Sequence, residues 1–244
     1  MTAAVATPPK RNALPVLGTT IGKKLIVAVT GLGWIGFVVG HMVGNLKIFL
    51  GPKHLDEYGD FLRTVGEPIF PRSVVLWIFR IGLIAMFVAH VGLTFKLSLQ
   101  NRASRKDRYA TTKTIQASWA SKSMRWGGIT LFAFIFAHLA HFTWGIFGSW
   151  AFGGNASFTR GDPYGNVTNA FYHQPVFAIL YIIPMVFLGL HMYHGVWSTM
   201  QTLGINRKRF DKGIRAVATG IAVITAGGNI VIVLGATFIN HVGT

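Results

Sequence analysis

Six of the nine histidines in this chain lie inside long apolar stretches: His41, His90, His138, His141, His191 and His194. An ionisable side chain at membrane depth is expensive and by default marks a functional site. Imidazole is also the commonest side-chain metal ligand. Any one of these rings could instead be neutral and hydrogen-bonded to a neighbouring helix. That explanation weakens when four apolar segments out of five each carry at least one.

Depth sorts them. His41 lies 17 residues beyond Lys24, and His138 and His141 lie 13 and 16 beyond Arg125. At about 1.5 Å per helical residue, these positions are roughly 20–25 Å along their segments. The second and fourth segments run the opposite way, with His90 18 residues beyond Arg72 and His191 19 beyond Tyr172. The histidines therefore form an outer set from segments one and three and an inner set from segments two and four. Two levels of paired imidazoles are what two stacked b haems need, since each iron takes an axial ligand on either side. The i, i+3 partners (138/141 and 191/194) share a helix face, so only one of each can ligate a given iron. By depth alone, His141 is slightly favoured over His138.

The elements that must position them are transmembrane helices. Of 244 residues, 51% are hydrophobic and 12% charged, whereas a soluble domain carries about 25% charged residues. Five stretches reach the roughly 20 residues that cross a bilayer: 25–50, 73–99, 126–150, 172–200 and 214–241. All seven acids fall outside them. The expected fold is an all-α bundle of five transmembrane helices (23–244) after a cytoplasmic tail (1–22). Seventeen Lys and Arg residues flank one side, five the other, and Arg80 lies within a span. By the positive-inside rule the N-terminus is cytoplasmic and the C-terminus outside. The net charge of +16 thus reads as a topology signal and lipid contact rather than nucleic-acid binding. The absence of cysteine excludes disulfides, a thiol nucleophile and an iron–sulfur cluster held by this chain alone.

Other residues bear on the site. Gly36, Gly40 and Gly44 form a small-residue stripe beside His41, suited to close helix packing or to a macrocycle. Arg80 could meet an outer haem propionate or snorkel to the interface. Lys23, Lys24, Arg125 and Trp126 could serve inner propionates, with belt and topology roles as the alternative. A transporter should show inverted repeats, broken helices or intramembrane acids, and none is evident.

Six strings carry a resemblance: Gly-His-Met-Val-Gly-Asn-Leu (40–46), Asp-Glu-Tyr-Gly-Asp-Phe-Leu (56–62), Ser-Met-Arg-Trp-Gly-Gly (123–128), Ala-His-Leu-Ala-His-Phe-Thr (137–143), Asp-Pro-Tyr-Gly-Asn-Val (162–167) and Leu-His-Met-Tyr-His-Gly-Val-Trp-Ser (190–198). Together they resemble the cytochrome b membrane-anchor subunit of succinate:quinone oxidoreductase and fumarate reductase, of the single-subunit, five-helix, dihaem type. The resemblance runs from about residue 20 onward.

It implies a multi-pass subunit of the bacterial cytoplasmic membrane, bound on its cytoplasmic side to a flavoprotein and an iron–sulfur subunit of succinate dehydrogenase. Electrons would pass through two b haems to a quinone, typically menaquinone, with no succinate site on this chain. A trimer of complexes stays open. Residue by residue, it implies His90 and His191 as axial ligands of the inner haem and His41 and His138 as those of the outer haem. His141 and His194 become neighbours of the ligands. Quinone candidates at the outer end are Glu67, Arg80, Tyr164 and His141. A haem-free quinone anchor, and a dihaem cytochrome b serving a hydrogenase or formate dehydrogenase, are the competing readings.

Overall fold

The computed structural model describes residues 18–104, 119–147, 149–151, 158–205 and 207–239. Among them there is no strand, and five helices are long and apolar enough to cross a bilayer. Residues 1–17 of the expected tail, residues 105–118 with four of the eight cations between Lys96 and Arg125, and His241 at the expected end of the fifth span lie outside the described residues.

The first long helix, α1 (Thr20–Asn45), starts inside the stretch expected to be tail, because the Thr19 side chain accepts from Gly22 N at 3.0 Å and caps it. It gives way to a 3-10 turn at Leu46–Leu50, which ends where Gly51 adopts φ 95°. Two short helices were not expected. α2 (Pro52–Thr64) follows that glycine with proline in its first turn, and α5 (Pro163–His173) is capped by the Asp162 carboxylate on Gly165 N at 2.7 Å. Proline just inside a helix start is a readable signal, but hydropathy windows pass over short polar helices.

The remaining long helices are α3 (Val74–Ala103), α4 (Trp119–Leu139), α6 (Pro175–Thr202) and α7 (Lys208–Phe238). α4 continues as a π-helical turn, Ala140–Trp144, then stops at Gly145 (φ 62°), short of the expected Trp150. The phenyl ring of Phe158 occupies the place a side chain at 145 would take. Glycine is therefore required there by both backbone and space.

α6 packs most extensively on α7, and it also packs on α4 and α1; α3 packs chiefly on α1. No residue of α3 is buried within the chain, and its outward side chains Trp77, Ile78, Phe79, Ile81 and Ile84 are apolar. Such a surface suits lipid rather than water. A cluster of buried side chains sits at the Asp162 end, where Ile48, Leu55, Phe171, Phe177, Tyr181 and Ile232 meet. There α2 and α5 close the bundle, and Asp56 Oδ1 accepts from Tyr164 N at 3.0 Å. At the opposite end, Lys23 is buried and donates to Gln100 Oε1 at 3.2 Å, joining the start of α1 to the end of α3.

Candidate functional site

Histidines from four different helices meet in two pairs. His41 on α1 faces His138 on α4 with ring centroids 5.9 Å apart and planes at 84°. His90 on α3 faces His191 on α6 at 6.4 Å and 60°. Neither α1 with α4 nor α3 with α6 is among the helix pairs whose backbones pack closely. The side chains bridge gaps that the helices leave.

Local structure orients each ring. Thr30 and Gly31 hold His90: its Nδ1 lies 3.1 Å from Val27 O and 3.2 Å from Thr30 Oγ1. Donation from Nδ1–H to the carbonyl fixes the tautomer that leaves Nε2 with its lone pair. A methyl at Gly31 would stand 3.2 Å from His90 Cε1, so the close approach of α3 to α1 depends on glycine. His41 stacks on Phe37 (5.5 Å, 17°), and its Nε2 lies 3.2 Å from Asn45 Nδ2. Ligation through Nε2 would have to replace that exposed contact. Nδ1 of His138 and Nδ1 of His191 are buried with no hydrogen-bond partner. A buried polar atom left so costs about 1–3 kcal/mol.

His141 takes a different place. It is only 1% exposed, its Nδ1 lies 3.1 Å from Tyr181 Oη, and it stacks on Phe142 at 4.0 Å. Tyr181, which sequence reasoning missed, also edges His138 at 5.9 Å. Depth alone slightly favoured His141 as the partner of His41; the structure puts His138 opposite His41 and His141 in the aromatic cluster. The shift to π geometry begins between them, at Ala140, a feature frequent at functional sites. His194 is half-buried beside Trp197 at 6.1 Å.

Two donors are too few to enclose a bare metal ion, which takes four or more ligands. Among the described residues no three His or acidic side chains converge. Each pair fits instead a metal that brings its other donors with it, as iron in a tetrapyrrole does. With each metal–nitrogen bond about 2 Å and each nitrogen about 1 Å from its ring centre, trans imidazole rings stand about 6 Å apart. The two pairs, at 5.9 and 6.4 Å, have a spacing of that order. Compared with protein-family models, curated proteins and solved structures, the chain matches none.

The other candidates are scattered. Arg80 is exposed and stacks its guanidinium over Trp77 at 5.0 Å. Glu67 is exposed in the turn before α3, while Tyr164 is buried beneath Asp56. Of the glycine stripe, Gly44 packs against the Tyr58 ring, but a methyl at Gly36 or Gly40 would meet nothing within 4 Å among the described residues. Helix packing therefore accounts for one glycine of the three. At the Lys23 end, Lys24, Arg125 and Trp126 are exposed.

Proposed function

We propose that this chain is a dihaem cytochrome b, the membrane anchor of a succinate:menaquinone oxidoreductase in a bacterial cytoplasmic membrane. The observation that carries the reading is that four helices give one imidazole each to two pairs with the ring spacing of a bis-histidine metal. His41 and His138 would hold one haem b, and His90 and His191 the other. Bound there, the haem irons supply one-electron oxidation and reduction at two depths.

The chain's own residues do the positioning. Val27 O and Thr30 fix the His90 ring, while Phe134, Phe142 and Tyr181 wall His138. Those aromatic walls keep water from the His138 ring. With the basic loops in the cytoplasm, the His90–His191 pair lies nearer the flavoprotein and iron–sulfur partners that the resemblance implies. The His41–His138 pair then lies nearer quinone. Quinone reduction takes up two electrons and two protons. Glu67, Arg80, Tyr164 and His141 are the candidates to bind it at the Asp162 end. Succinate would be oxidised on the flavoprotein, since this chain carries no flavin-binding motif.

The test is a reduced-minus-oxidised spectrum with pyridine haem quantification on the purified full chain. Two haem b per chain are expected. No b-type band would overturn the reading and favour a haem-free anchor, and co-purification of a metal-centre subunit instead of a flavoprotein would favour the hydrogenase or formate dehydrogenase assignment.

A further inference from the structure

Midway along α1, the indole Nε1 of Trp34 is buried without a hydrogen-bond partner. Tryptophan is a donor only, so this N–H can be satisfied only by an acceptor. In a bundle surrounded by lipid no bulk water stands in, and an unmade bond of this kind is costly. Trp34 is placed between the two imidazole pairs. It lies four residues after Thr30, which touches His90, and seven before His41. Seven residues are nearly two whole turns, which puts Trp34 and His41 within about 20° of one another around the helix, about 10 Å apart along it.

The ring neighbours that the structure gives Trp34 are hydrocarbon. The indole meets Phe37 edge-on at 5.5 Å and Phe87 at 5.9 Å. Phe87 in turn stacks on Phe132 of α4 at 5.7 Å. A layer of hydrocarbon rings drawn from three helices thus separates the imidazole levels, with one unsatisfied donor in it. A b-type porphyrin is apolar over most of its edge and carries its hydrogen-bond acceptors as two carboxylates.

Resting on the dihaem reading, we propose that the Trp34 indole N–H is a porphyrin-binding group, donating to a propionate carboxylate of one of the two haems. A donor on that carboxylate offsets its negative charge, which otherwise favours the ferric state. Removing the donor therefore lowers the reduction potential of that haem.

The experiment is a redox titration of both haems in membranes bearing the full chain, comparing wild type with Trp34→Phe and Trp34→His. Trp34→Phe keeps an aromatic ring and loses the N–H. It should shift the reduction equilibrium of one haem three- to tenfold toward ferric, roughly 30–60 mV for a one-electron couple, and leave the other in place. Trp34→His restores a ring N–H and should recover part of that shift. Two unchanged potentials in Trp34→Phe overturn the proposal, as does a change confined to quinone binding. If Trp34→Phe fails to take up haem, the wild type labelled with 15N-indole decides. An indole N–H infrared band that moves on haem reduction supports the proposal, and a silent band overturns it. Absence of haem from the wild type would instead remove the dihaem reading and this inference with it.

Discussion

The imidazoles of His90 and His191 stand 6.4 Å apart although their helices, α3 and α6, do not pack backbone to backbone. His90 is the better anchored, with its Nδ1 committed to Val27 O, whereas Nδ1 of His191 is buried and unpartnered. Each pair draws its members from two separate helices, so the two levels can be disrupted one at a time.

His90→Ala or His191→Ala should therefore lower haem content from two to one per chain, with the remaining spectrum that of the other site. His41→Ala or His138→Ala should leave the complementary spectrum. Pyridine haem quantification on normally inserted variants reads this directly. Equal loss of both haems in all four variants would count against two independent pairs.

Gly31→Val should damage only the His90–His191 level. Even a methyl at residue 31 would lie 3.2 Å from His90 Cε1, and the branched side chain drives the ring away from Val27 O. Loss of an orienting partner costs about 10–100-fold in metal affinity, so a haem titration should show that drop at one site of two. Thr30→Val keeps the Val27 bond and should cost less. Unchanged affinity in Gly31→Val would mean that α1 does not position His90.

His141→Ala should retain both haems while destabilising the fold. The ring is almost wholly buried, at 1% exposure, and its removal leaves a cavity worth about 2–4 kcal/mol. Tyr181→Phe, which deletes only the hydroxyl facing His141 Nδ1, should cost about 1 kcal/mol. Unfolding in mixed micelles measures both. Loss of one haem in His141→Ala, with stability preserved, would make His141 a ligand.

The decline of stability as pH rises above the unfolded carboxylate value should carry the signature of Asp56. Partial burial pushes its carboxyl above the ordinary value, the bond from the Tyr164 amide pulls it back, and the neighbouring Asp162 charge pushes it up again. The folded chain then keeps this proton to higher pH than the unfolded chain does. Stability from this group is present below the unfolded value of about 4 and is lost as pH rises through the folded one. Asp56→Asn retains an acceptor for Tyr164 N and should flatten that decline in a pH series of melting temperatures. An unaltered slope would assign the decline to another group.

The five long helices, the exclusion of acids from their apolar stretches (Asp211 falls only in the first turn of α7) and the two depths of histidine were legible in the sequence. Each follows from quantities that accumulate along one chain: the length needed to cross hydrocarbon, the cost of burying charge, and the rise per residue. The short helices α2 and α5 were signalled by Pro52 and Pro163, but a window tuned to twenty apolar residues averages them away. Height along the chain does not tell which member of the 138/141 pair faces His41, although the resemblance implies His138. Rise per residue fixes height, and two rings one turn apart differ too little in height to be told apart. Tertiary structure decided it, because the π turn beginning at Ala140 sends His141 to Tyr181 and the packing of α4 on α6 leaves His138 toward α1. The Thr30–Gly31 seat of His90 and the solitary N–H of Trp34 were equally invisible, since a hydrogen bond, or the lack of one, depends on what another helix brings alongside.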